Sequence, residues 1–196
     1  VGLRKGAAPR AHGTGNGKAE DSDGIPPDAY EPNNTLGTAT NLTGLYPPSL
    51  LTGNPMLVTG LTLTPNDVDF FAFQAGALEI LQAETLALTG LEAPDTLIGL
   101  FNSPAGNLLV HDDDGGEGSL SKFVVPIEQS GTYAVAIESA PDLNLDFTGD
   151  EGTTTGHYNL SLELKVGSYL WNQLDLIMGV SPDGTLLEDF IGFKEI

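Results

Sequence analysis

The chain has 196 residues, with 27 Asp and Glu against 7 Lys and Arg, three His and no Cys. A formal charge of −20 excludes nucleic acid and anionic membrane as partners, because both need a cationic surface. The lack of Cys excludes disulfides, thiolate catalysis and Cys-based metal centres, while a hydrophobic share of 40% is too high for an acidic disordered tail.

Residues 1–27 hold four of the seven cations (Arg4, Lys5, Arg10 and Lys18) and almost no large apolar side chain. Such a stretch cannot offset its own ordering entropy, so it reads as an extended N-terminal tail that needs a neighbour to order it. From residue 28 to residue 165 the chain reads as short strands between turn signals. The expected strands are 57–63, 68–73, 78–88, 96–101, 107–111, 122–127, 132–139 and 157–165. Turns are marked by Thr64-Pro65-Asn66, by Ser103-Pro104-Ala105-Gly106 and by Gln129-Ser130-Gly131. Alternation is clear in Tyr133-Ala134-Val135-Ala136-Ile137, of large and small side chains, and in 158–164, as half-buried antiparallel strands require. Eight strands with short links predict an all-β fold, an antiparallel β-sandwich of jelly-roll-like form. Residues 166–196 form a C-terminal extension expected to pack on the sandwich or on a neighbour. Within it, residues 169–178 suit a strand or a short helix equally. No segment reaches the roughly 18 apolar residues that span a bilayer. A start at Val1 rather than Met is what a processed, exported chain would show, so an extracellular location is expected.

The acidic residues are unevenly placed. Between Lys18 and Lys122 there are 15 Asp or Glu and no cation. If successive strands run antiparallel, the chain alternates between two ends of the sandwich. Asp67 and Asp69, then Asp95, then Asp112, Asp113 and Asp114, then the loop with Asp142, Asp146, Asp150 and Glu151 all fall at one end. Carboxylates gathered from several loops are what a calcium ion needs, with oxygen ligands at about 2.3–2.6 Å. The most specific set is Asp95 facing Asp112-Asp113-Asp114-Gly115-Gly116 across a hairpin, where the glycines free the backbone to turn. The alternative reading of the same residues is a solvated acidic surface.

Several segments also carry a family resemblance. Asp28-Ala-Tyr-Glu-Pro-Asn-Asn-Thr, Asn66-Asp-Val-Asp-Phe-Phe-Ala-Phe, Asp95-Thr-Leu-Ile-Gly-Leu-Phe, Gly131-Thr-Tyr-Ala-Val-Ala-Ile and Gly156-His-Tyr-Asn-Leu-Ser-Leu follow one another in order. Together they resemble the bacterial pre-peptidase C-terminal domain over residues 28–165, and are similar to the collagen-binding domains of clostridial collagenases. The resemblance implies a jelly-roll-like sandwich appended to secreted enzymes, with calcium bound near its N-terminal linker. Carried onto this sequence, that linker site comprises Glu31, Asn33 and Asn34 with Asp67 and Asp69. Asn34 stands where Asp is common in the family.

Catalysis finds little support. The histidines His12, His111 and His157 have no Gly-x-Ser-x-Gly elbow or His-Glu-x-x-His pair beside them. Ser119 or Ser121 with His111 or His157 is the nearest approach to a triad. Clustered carboxylates without a nearby Lys or Arg suit metal binding better than glycoside cleavage. Two non-catalytic functions remain. One is an extracellular calcium-binding subunit that polymerises through its tail and C-terminal extension. The other is an accessory binding module of a secreted peptidase or other enzyme, recognising a matrix protein or polysaccharide.

Overall fold

The computed structural model describes residues 24–43 and 55–165. The expected tail, apart from residues 24–27, and the whole of the C-terminal extension lie outside the described residues. Among the described residues nine strands form: β1 Thr40–Asn41, β2 Met56–Leu63, β3 Val68–Ala75, β4 Ile80–Ala87, β5 Thr96–Ser103, β6 Asn107–Asp112, β7 Lys122–Pro126, β8 Gly131–Ser139 and β9 Gly156–Lys165. They build two sheets, β1-β3-β8-β5-β6 and β2-β9-β4-β7. All pairings are antiparallel except β1 with β3. The fold is the all-β sandwich expected from the sequence, with every expected strand present to within two residues and the two-residue β1 added. Leu78 falls before β4 rather than in it, because its φ of 68° belongs to the turn.

Strand chemistry sets the layers. In β9, alternate residues Tyr158, Leu160, Leu162 and Leu164 are buried while their neighbours are half-exposed, as one-sided packing requires. The central strands β3, β5 and β8 are covered on both faces and are buried nearly throughout. Their inner residues, among them Phe71, Phe73, Leu100, Val135 and Ile137, meet the second sheet to make the main core. Their outer residues Val68, Phe70, Leu97, Phe101, Ala134 and Ala136 form a second core with Phe147, from the loop that joins β8 to β9. In β2 a bulge falls between Val58 and Leu61, where Gly60 has φ 75° and its N–H reaches the Asn159 side chain at 3.0 Å.

The Phe147 ring lies directly on Gly99 of β5. A methyl group at Gly99 would sit 2.5 Å from the Phe147 Cζ and 2.9 Å from a Leu108 methyl. Gly99 is paired on both sides, with His111 and Ala136, so its backbone has no room to retreat. Gly99→Ala is therefore expected to destabilise the fold by about 1–3 kcal/mol, read as a lower urea midpoint at unchanged slope.

Alternation of strand direction puts the 64–67 turn, the 88–95 connection, the 113–121 loop and the 140–155 loop at one end of the sandwich. The acidic segments share that rim, as strand parity predicts.

Candidate metal centre

Two groups of three carboxylates stand at the rim with their oxygens within 4.8 Å of one another: Glu31, Asp67 and Asp69, and Asp95, Asp113 and Asp114.

The first group is built where the entering chain crosses the start of β3. Asp69 points inward between the sheets and is fully buried, because it shares the inner face with Phe71 and Phe73. From the opposite sheet, the buried Tyr158 hydroxyl donates to Asp69 Oδ2. Asp67 closes the preceding turn: its N–H bonds the Thr64 carbonyl at 3.1 Å, and its carboxylate accepts from Asn34 Nδ2 at 3.1 Å and Thr64 Oγ1 at 3.3 Å. Residues 31–34 are pinned alongside, since the Asn33 carbonyl accepts from the Phe70 N–H at 3.0 Å and Glu31 Oε2 accepts from the Asn33 N–H at 3.1 Å. Asp28 adds a further buried carboxylate, accepting from the Tyr30 N–H at 2.7 Å and the Thr62 N–H at 3.1 Å.

This arrangement leaves polar atoms stranded. Asn33 is fully buried and faces Asp69, yet neither its Oδ1 nor its Nδ2 completes a hydrogen bond, and Asp69 Oδ1 is likewise unpartnered. Native interiors rarely leave such atoms without a water or an ion to bind, since each costs about 1–3 kcal/mol. The charges are equally uncompensated. Burial, reinforced by Glu31, pushes Asp67 up to about 7. Burial, with Asp28 and Asp67 close by, holds Asp69 well above the carboxylate range, and the Tyr158 hydroxyl is raised as well, chiefly by burial. The two lysines among the described residues are engaged elsewhere, Lys122 with Glu84 at 3.0 Å and Lys165 with Glu163 at 2.9 Å. The donor set is all oxygen apart from the amide nitrogens, carboxylate-rich and partly dehydrated. It fits a hard divalent cation of the calcium class.

The second group is more open. Asp95 precedes β5, fixed by its N–H to Thr154 Oγ1 at 3.0 Å and by its carbonyl, which accepts from the Ala140 N–H at 2.9 Å. Its Oδ1 is buried and unpartnered. Asp113 and Asp114 approach it from the loop after β6 and are exposed. Burial and then Asp114 raise both Asp95 and Asp113, with His111 partly offsetting the rise at Asp113. Asp112 does not join the group. Its Oδ2 accepts from the Gly115 and Lys122 N–H groups, both at 2.8 Å, and so shapes the loop. The two glycines serve this turn too: a Cβ on Gly115 would lie 2.6 Å from the Asp112 carboxylate, and one on Gly116 would lie 2.5 Å from the Leu120 carbonyl.

Beneath the loop, Thr85, Thr96 and Ser121 form a buried hydroxyl knot, with Thr96 Oγ1 2.9 Å from Thr85 Oγ1 and 2.8 Å from Ser121 Oγ. Ser121 is fully buried and its hydroxyl is bound to the Thr96 carbonyl, which removes it as a nucleophile.

Of the sequence-derived ligands, Glu31, Asn33, Asn34, Asp67 and Asp69 are brought together, as are Asp95, Asp113 and Asp114. Tyr158 and Asp28 are not among the sequence-derived ligands. For Tyr158 the available signal was its inward parity at the rim end of β9. Asp28 was legible only as part of the family motif.

No family model matches the chain. Over 115 residues, 58% of its length, the chain is 31% identical to a probable subtilase-type serine protease of Deinococcus radiodurans. It spans 14% of the length of that protein. Among solved structures it is similar to a periplasmic inhibitor of g-type lysozyme from Aeromonas hydrophila, with 12% identity and a TM-score of 0.41, covering 57% of this chain and 87% of that one. A second is the pre-peptidase C-terminal domain of a collagenase from Bacillus anthracis, with 13% identity and a TM-score of 0.37, covering 57% of this chain and 89% of that one.

Proposed function

We propose that the chain is a non-catalytic, extracellular β-sandwich module that is rigidified by calcium and works as an accessory to a secreted peptidase, recognising a matrix protein or polysaccharide. The calcium reading is carried by the first rim group, in which buried Asp69 and Asn33 hold unpartnered oxygens beside Glu31 and Asp67. Glu31, Asn33, Asp67 and Asp69 would hold one ion there, and Asp95, Asp113 and Asp114 a second. The ion supplies positive charge that replaces protons on crowded carboxylates and ties the entering chain to the sandwich. The peptidase setting is supported by the match to a subtilase-type protease, of which this chain corresponds to a small part.

The test is thermal unfolding of the full chain with chelator and with millimolar calcium, paired with ion counting by equilibrium dialysis. Calcium is expected to raise the melting temperature by on the order of 10 °C, since it binds the native state alone. The double variant Asp113→Asn/Asp114→Asn is expected to bind one ion fewer while staying folded, because both side chains are exposed. An unchanged melting temperature and no bound calcium would overturn the reading. Sedimentation under both conditions separates the two functions: a monomer throughout supports the accessory module, and a calcium-dependent polymer supports assembly through residues 1–27 and 166–196. Co-sedimentation with insoluble collagen or polysaccharide then tests the ligand class.

A further inference from the structure

A third acidic cluster, separate from the two groups above, is built around Glu138. This glutamate lies on the outer face of β8 and is 1% exposed. Its Oε2 accepts from the Gly149 N–H at 2.9 Å, while its Oε1 is buried with no partner. The carboxyl abuts that of Asp142, and the charge of Asp146 acts on it from further along the loop. No Lys or Arg among the described residues pairs with any of the three.

The facing loop has a spacing with chemical meaning. Asp142, Asn144, Asp146, Thr148 and Asp150 fall at every second position. A twelve-residue calcium loop takes side-chain ligands from positions 1, 3 and 5, a carbonyl from 7 and a further contact at 9, with a sharp left-handed residue at 6. Counting from Asp142, position 6 is Phe147, which has φ 52°, inside the left-handed region. The chain also wraps around the first residue of the loop. Asp142 Oδ1 accepts from the N–H groups of Asn144 at 3.2 Å and Leu145 at 2.8 Å, and Oδ2 accepts from Phe147 at 2.9 Å. Position 12 is Thr153, where such loops carry a glutamate. The missing carboxylate is present in space: Glu138 enters from β8 with its carboxyl beside that of Asp142 and one oxygen without a partner.

We propose that the loop 140–155 is a further binding site for a calcium-class cation, held by Asp142, Asn144 and Asp146, with Glu138 supplying the carboxylate that the loop itself lacks. Asp146 now accepts from the Thr148 hydroxyl at 2.7 Å and would exchange that bond for the ion. Two carboxyls in contact, one with a bare buried oxygen and neither with a cation beside it among the described residues, are a tension that a metal ion would relieve. A shared proton is the competing way to relieve it.

The experiment uses the full chain carrying Asp69→Asn and Asp113→Asn, so that the two groups treated above are disabled. Equilibrium dialysis with calcium is expected to find one ion per chain, and Glu138→Gln or Asp146→Asn in this background should weaken its binding at least tenfold. Amide hydrogen exchange at Leu145 and Phe147 should slow with calcium in the background chain and not in the Glu138→Gln chain. Glu138→Gln mimics the protonated acid and keeps an acceptor for Gly149, while Asp146 is exposed, so one of the two variants stays folded. Calcium binding and exchange unchanged by both variants, or no ion bound by the background chain, would overturn the proposal. Either result would leave the first two sites untouched, because those are scored on the wild-type chain.

Discussion

Without divalent ions, the sandwich should lose stability as pH rises from about 5 to 9. Asp67 titrates near 7 in the folded chain and Glu138 near 9, against ordinary values of 3.8 and 4.5. Between those limits the folded state holds protons that the unfolded state has released. The stabilisation is therefore complete below the unfolded values and drains away as pH climbs through the folded ones. Each such group contributes a slope of at most about 1.4 kcal/mol per pH unit. Asp69, also raised, acts in the same direction. With relaxation and partial hydration the sum is expected to be several kcal/mol, or roughly 10 °C in melting temperature. Calcium should abolish the slope, because it competes with protons for the same oxygens. It should stabilise strongly at pH 8 and scarcely at pH 5. Melting curves across this range, in chelator and in calcium, check the sign directly. Stability that rises with pH in chelator would mean that the rim carboxylates are ionised and satisfied without an ion.

Replacing Asp69 by Asn should make the two conditions change places. The amide keeps an oxygen for the Tyr158 hydroxyl and removes a buried acid whose ionisation beside Asp67 and Asp28 costs stability as pH rises. In chelator at pH 8 the variant is expected to melt several degrees above wild type. In calcium it is expected to melt below it, with affinity at the linker site reduced at least about 100-fold, since a carboxylate ligand has been lost. Tyr158→Phe makes the useful contrast. It strips Asp69 of its donor and should cost about 1–3 kcal/mol in chelator, the penalty of an abandoned buried acceptor. An Asp69→Asn chain weaker than wild type in both conditions would show the carboxylate to be a structural acceptor alone.

Much of this was open to reading in the chain. Short alternating runs separated by Pro, Gly and Asn turns located every long strand, and strand parity alone assigned the acidic segments to one rim. Parity gives the end of a strand but not the side chain's neighbours there, so it cannot separate Asp112, which folds back on Gly115 and Lys122, from Asp113 and Asp114. Alternation fails in strands covered on both faces. In β8, buried along nearly all its length, Glu138 carried no sign of facing the loop. The usable clue was chemical: a lone carboxylate in an otherwise apolar strand must find a partner. The strand β1 has only two residues and pairs in parallel, and nothing so short leaves a periodic signature.

The 140–155 loop does more than cap the second core. Gly149 packs against the Asn66–Asp67 backbone, with room for no Cβ, and the Ala140 N–H and Thr154 hydroxyl bind the Asp95 carbonyl. One segment thus braces the backbone beside the first two groups while carrying the third. Its tip presents Leu143, 83% exposed. A single proteolytic cut there would slacken the whole rim at once. Resistance to digestion would therefore be set by how firmly this loop is held and, on the calcium reading proposed above, by the calcium in the surrounding medium.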